Sequence, residues 1–315
     1  VNARLVLDDL PWSKADLTNS GIVEALEGLR ELLEQAEDRK HKVAAHDSLH
    51  EQERFGSKTI EDIIEGPIPR DLRVEMRRRL NKITLFKDSE IECFEVIVDD
   101  ERALAPTIVW AAQQTKSGST TGCITPACSC RKELCSVTLY PRDEELTLEL
   151  FFVVDNLTHA GLFRHAIIVE HANDKKFADL APSAFPQLEF VTGAFGGCRE
   201  LSRPFINRRN DIMKHLSVLN DSGVSIFALR QHKLIIEKFK SHGIEISLEN
   251  TETMRDGKCR RARERKSHGE TLIFEWHTKI SPHLDRIHVH PPTANSGGRV
   301  IIGIINKHLP LPGDN

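Results

Sequence analysis

Residues 275–292 read EWHTKISPHLDRIHVHPP, and how this stretch is read decides the fold of the C-terminal part of the chain. Taken with the residues before it, TLIFEWHTKI alternates with a period of two. Leu272, Phe274, Trp276, Thr278 and Ile280 fall on one face, and Ile273, Glu275, His277 and Lys279 on the other. SPHLD is a turn. In RIHVH the apolar Ile287 and Val289 point one way while Arg286, His288 and His290 point the other. Pro291 and Pro292 end the strand, ANSGG turns the chain, and RVIIGII returns as a more thoroughly buried strand. Antiparallel pairing of the first two strands therefore puts Glu275, His277, Lys279, Arg286, His288 and His290 on one surface.

Three readings of that surface are open. It is the ordinary polar face of a half-exposed hairpin, with cross-strand charge pairs as stabilisers. It is a metal site, with His288 and His290 joined across the strands by His277 or Glu275. Or it is a metal-independent site for RNA cleavage, which needs a base for the 2′-OH proton, an acid for the leaving oxygen and cations for the growing phosphate charge. Glu275 and the histidines have the proton-transfer chemistry, and Lys279 and Arg286 the charge. Just upstream, RDGKCRRARERKSH (255–268) holds seven Lys/Arg against Asp256 and Glu264. Arg260, Arg261, Arg263, Arg265 and Lys266, with Arg299 beyond the hairpin, are the candidate nucleic-acid contacts.

A second cluster lies in TTGCITPACSCRKELCSVTLYP, where Cys123, Cys128, Cys130 and Cys135 are spaced x4, x1 and x4. Four thiolates suit a structural zinc ion, although the spacing is not that of paired CxxC ribbons. The other reading is small thiols packed at the entrance to a strand.

Further out, Ile22, Leu26, Leu29 and Leu33, and then Leu72, Met76, Leu80 and Ile83, repeat at helical steps, so residues 1–90 read as helical. Between the two stripes, RKHKVAAHDSLHEQERFGSK reads as a polar connection. From about 91 the texture turns to strands (IECFEVIVDD, LCSVTLY, LTLELFFVVD, QLEFV) mixed with helices (ALAPTIVWAA, GLFRHAIIVEHA, SRPFINRRNDIMKHLSVLN). The polar stop Asn220-Asp221-Ser222-Gly223 marks the expected domain boundary. The expectation is an α+β protein: a domain over 1–220, helical to 90 and mixed-sheet beyond, then a small β-rich domain over 221–315 with an antiparallel sheet.

The 315 residues carry a net charge of -4 and no apolar run long enough for a membrane span, so no global attraction to nucleic acid exists and no membrane partner is expected. Seven cysteines, an odd number, and an acidic N-terminal segment without signal-peptide character point to a reducing, cytoplasmic setting.

The run from the basic segment through EWHTKI, DRIHVH, GRVIIGI and KHL, roughly residues 230–309, resembles the RelE/ParE-type bacterial toxin superfamily. In the RelE branch that resemblance implies a toxin or defence-type endoribonuclease acting on ribosome-associated mRNA; in the ParE branch it implies gyrase inhibition. Its implied site residues are Lys279, Arg286, His288 and His290, with Arg299 and His308. Such toxins are small single domains, whereas some 220 residues precede this one. A protein inhibitor or complex partner bound through the N-terminal domain is the corresponding expectation. The alternative is a non-catalytic nucleic-acid- or protein-binding module with a structural zinc site.

Overall fold

Three short segments inside the region read as helical prove to be strands of a large sheet. The computed structural model describes all residues except 1–2, 14–16, 88, 90, 92–94, 99–100, 141–144, 283 and 314–315. Helices and mixed sheets together make the protein α+β. It forms two compact units, 1–170 and 171–315. The break thus precedes the Asn220–Gly223 stretch, which lies inside a continuous helix whose buried residues include Asn220 and Gly223.

The first unit runs β1 (Leu5–Leu7), α1 (Asn19–Asp38), β2 (Val43–His46), β3 (Glu53–Phe55), β4 (Lys58–Thr59), α2 (Ile60–Glu65), α3 (Arg70–Leu80) and β5 (Thr84–Phe86). It continues with β6 (Glu95–Val98), β7 (Glu101–Leu104), α4 (Pro106–Lys116), β8 (Gly122–Ile124), β9 (Leu134–Leu139), β10 (Leu146–Val153) and α5 (Asn156–Val169). Eight strands form one sheet in the order β5-β2-β1-β8-β10-β9-β6-β7. The first five are mutually parallel and the rest antiparallel. β1, β2 and β8 are buried at every residue, so they carry no alternation for periodicity to find. The polar connection therefore contains a central strand, and His46 at its end is buried, its backbone N–H donating to Thr107 Oγ1 (3.0 Å). The first stripe is borne by α1, and Leu72, Met76 and Leu80 of the second by α3, which ends before the buried Ile83; in α1 the Gly21 N–H donates to the Thr18 cap. Leu162 of α5 packs close on Gly122, where a Cβ would meet its Cδ2 at 2.5 Å and displace that side chain.

The second unit runs α6 (Asp174–Ala184), β11 (Leu188–Phe190), α7 (Phe205–Phe227), α8 (His232–Ser241), β12 (Ile246–Leu248), α9 (Thr251–Arg255) and α10 (Gly257–Ala262). Then come β13 (Glu264–Ser267), β14 (Glu270–Ile273), β15 (Trp276–Lys279), β16 (Asp285–His290) and β17 (Val300–Lys307). Its main sheet has the order β11-β17-β16-β15-β12, and β13 and β14 form a separate hairpin. All pairs in the main sheet are antiparallel except β11 with β17. Among the described residues no helix of either unit is long and apolar enough to cross a membrane.

Candidate functional site

TLIFEWHTKI is two strands. β14 ends at Ile273, the Glu275 N–H donates back to the Ile273 carbonyl (3.2 Å), and β15 begins at Trp276 in a different sheet. Phe274 and Trp276 are both buried, but they pack on different neighbours: Phe274 against Gly303 and the edge of the His290 ring, Trp276 against Phe227 and His232. Gly303 is the extra residue where the β16–β17 register slips, and a Cβ there would lie 2.4 Å from the Phe274 ring.

The pairing of β15 with β16 is antiparallel, with His277 opposite His288 and Lys279 opposite Arg286. Alternation thus brings these four side chains to one side of the sheet, as read from the sequence. That side is not solvated at the histidines. His277 is 7% exposed and His288 1%. Beside them, the α10 segment ends in Arg263, which reaches the same Glu249 oxygen that faces His277. Arg263 is fully buried; its Nη1 donates to the Cys259 and Pro310 carbonyls, and its Nε lies 2.9 Å from Glu249 Oε1. Arg263 is therefore enclosed, and the expectation that it faces nucleic acid is overturned.

Glu249 was not among the residues singled out from the sequence, though the alternation of IEISLE (244–249) places Glu245, Ser247 and Glu249 on one face. Ser247 pairs with His277 across β12 and β15 and its Oγ lies 3.1 Å from His277 Nε2. His277 Nδ1 is 3.3 Å from Glu249 Oε1. His288 Nδ1 is 3.3 Å from the Phe274 carbonyl, an acceptor, so Nδ1 carries the proton and Nε2 the lone pair. That Nε2 is buried without a hydrogen-bond partner among the described residues. Glu249, His277 and His288 are the one set of three or more His, Cys, Asp or Glu among the described residues whose ligand atoms lie within 4.8 Å of one another.

Electrostatics fix the charge states. Burial, then the neighbouring His277, push His288 down to about 3, so it is a neutral imidazole at physiological pH. Burial pushes the Glu249 carboxyl up, but His277 and Arg263 outweigh it and bring it down to about 2. At 2.9 Å the Arg263–Glu249 attraction is about 6 kcal/mol at an effective dielectric near 20, comparable to the desolvation cost of several kcal/mol per buried ion. The pair keeps Glu249 ionised more than it stabilises the fold.

The remaining predicted residues scatter. Lys279 lies 3.7 Å from Glu245. Arg286 is buried, its Nη1 donating to the Ser281 and Asp285 carbonyls. Glu275 is exposed and shares with the half-buried His290 a cleft of about 400 Å³, lined also by Leu272, Trp276 and Pro291. His290 Nδ1 lies 2.7 Å from the Pro291 carbonyl, which leaves Nε2 as the lone-pair nitrogen. Arg260, Arg261 and Lys266 are exposed on α10 and β13, joined by exposed Arg255 and Lys258; Arg260 pairs with Glu264 at 3.5 Å. Arg265 is half-buried on backbone carbonyls, Arg299 reaches Glu189 (3.4 Å), and His308 Nδ1 lies 2.8 Å from the Leu309 carbonyl.

The four thiols do not converge on a shared ion, because they are distributed over two strands and a turn. Cys123 and Cys135 are buried in β8 and β9, whereas Cys128 is half-buried and Cys130 exposed at the turn between them. Cys123 and Cys135 belong to the apolar core of the first unit, and burial holds the Cys123 thiol far above its ordinary range. Packed thiols, the second sequence reading, describe this pair.

A second polar centre, unmarked in the sequence reading, follows β1, where the parallel sheet turns outward in both directions. Asp8 accepts from the Leu10 N–H (2.9 Å) and from Arg131 Nε (3.1 Å). Asp9 accepts from Thr107 N–H (2.5 Å) and Ile108 N–H (3.2 Å) in the first turn of α4. Buried Arg54 donates to the Asp8 carbonyl (3.2 Å) and lies over the Trp12 ring. A cleft of about 600 Å³ opens beside it, lined by Leu10, Trp12, Ser129 and Arg131 among others.

No protein-family model, curated protein or solved structure matches the chain.

Proposed function

We propose that the C-terminal unit binds single-stranded RNA, in a cytoplasmic setting, through the α9–α10–β13 segment. One observation carries this reading: Arg255, Lys258, Arg260, Arg261 and Lys266 are exposed within twelve residues of chain, while Arg263, Arg286, His277 and His288 are buried. Exposed guanidinium and ammonium groups so spaced contact phosphates and release counterions. RNA is the class chosen because the same segment resembles RelE-type toxins. The enclosed His288 has no part in proton transfer, since an acid or base must reach its substrate.

One further observation favours cleavage as a second reading. Glu275 and His290 line the same cleft, and β14, which forms part of its wall, pairs directly with β13. Glu275 would then be the base and a protonated His290 the acid, with Trp276 beside the bases.

Anisotropy with a labelled single-stranded RNA at several salt concentrations tests the binding. Arg260→Ala/Arg261→Ala/Lys266→Ala should weaken it and flatten its salt dependence. No binding by the folded wild type, or binding untouched by the triple variant, overturns the proposal; preference for DNA of the same sequence would reassign the substrate. Gel analysis of the same RNA decides the second reading. Cleavage lost in His290→Ala and retained in His288→Gln supports it, and an intact RNA removes it.

A further inference from the structure

We propose that Glu249, His277 and His288 form a binding site for a divalent transition-metal ion of the zinc class. The inference does not depend on RNA binding. It rests first on the donor set: one ionised carboxylate and two imidazoles, each offering a ligand atom, all within 4.8 Å of one another. Metal–ligand bonds of about 2.0–2.2 Å at tetrahedral angles place ligand atoms about 3.3–3.5 Å apart. The His277 Nδ1 to Glu249 Oε1 separation of 3.3 Å already has that value.

The second support is the unpartnered nitrogen. A buried polar atom without a hydrogen bond costs about 1–3 kcal/mol, and His288 Nε2 is such an atom. Its other nitrogen, Nδ1, faces the Phe274 carbonyl, so the ring is held with its lone pair free. His277 Nε2 faces Ser247 Oγ and its Nδ1 lies toward Glu249, where a metal ion would take the place of the proton between them. An outer partner on one ring nitrogen, with the other turned to the ligand set, is the arrangement that orients imidazoles for a metal.

Arg263 sets the strength. Its Nε sits 2.9 Å from the same Glu249 oxygen, so a dication binds beside a positive charge and more weakly than at a site with two ionised ligands. The four cysteines are outside this site.

The test uses the full chain stripped of metal with a chelator and titrated with Co²⁺, then Zn²⁺, following the visible cobalt bands and the thermal midpoint. One Co²⁺ per chain should bind, be displaced by Zn²⁺ and raise the midpoint. Glu249→Gln and His277→Gln should each weaken binding at least about tenfold, and Ser247→Ala about tenfold through the outer partner. Cys128→Ser/Cys130→Ser should leave it unchanged. Circular dichroism confirms folding of each variant, and Ser247→Ala, which removes no ligand, guards against loss of fold. A folded wild type that takes up neither ion overturns the proposal. So does uptake that survives Glu249→Gln and His277→Gln, or that vanishes in the cysteine variant.

Discussion

After β1, the first unit buries Asp8, Asp9 and Arg54; beside β15 and β16, the second buries Glu249, Arg263, His277 and His288. In the first unit the carboxylates are consumed locally. Asp9 caps a helix, Asp8 takes a guanidinium and a backbone N–H, and both carboxyls are held above their ordinary range, foremost by burial. In the second unit the carboxylate is held low and a neutral imidazole keeps its lone pair unclaimed. The difference teaches that buried charge by itself marks no site. What separates the two is that the second leaves an imidazole lone pair, His288 Nε2, without a donor.

The largest test of that contrast is Arg131→Ala. It removes a partner of fully buried Asp8, and stranding a buried charge costs about 3–5 kcal/mol. Chemical denaturation should show that loss; a change within about 0.5 kcal/mol would mean that Asp8 is satisfied without the guanidinium. Next comes Gly303→Ala, which forces the Phe274 ring away from the β17 bulge and should cost about 1–3 kcal/mol by overpacking. It should also disturb the carbonyl facing His288. If stability falls while Co²⁺ binding is unchanged, Phe274 does not orient that imidazole.

Asp9 provides a pH test. Its carboxyl is raised to about 6, chiefly by burial. Below pH 4 it is protonated in the folded and unfolded chain alike; between pH 4 and 6 only the unfolded chain ionises. Stability from this group is therefore lost as pH rises through 6, and Asp9→Asn should flatten that slope in urea unfolding followed at pH 4, 5, 6 and 7. An identical slope in the variant would show that Asp9 is ionised in the folded protein. The smallest effect belongs to Arg261→Ala on the exposed segment. Stability should stay within about 0.5 kcal/mol, while the salt slope of RNA binding falls by about 1. A larger stability change would show that this arginine is structural.

The residues from Trp276 to His290 were legible because a strand period of two is a property of the local backbone. That His277, Lys279, Arg286 and His288 share one face follows from alternation, whereas the register that sets His277 opposite His288 and Lys279 opposite Arg286 belongs to the structure. The helical stripes of α1 and α3 were legible in the same way, where a 3.6-residue period survives in the sequence. Three things were decided only by the tertiary structure. β1, β2 and β8 are three or four residues long and buried on both faces, so nothing local separated them from the helices around them. The burial of His277 and His288 was set from outside the hairpin, as was the enclosure of Arg263, which pairs with Glu249 fourteen residues earlier, and no local pattern tells an enclosed arginine from its exposed neighbours Arg260 and Arg261. The cysteines looked like a site because spacing along the chain was the only distance available; strand register buried two of them in β8 and β9 and left Cys130 exposed. Local periodicity is written in consecutive residues, whereas burial is set by what packs on a face from elsewhere in the chain, and the chemistry of His277 and His288 depends on that burial.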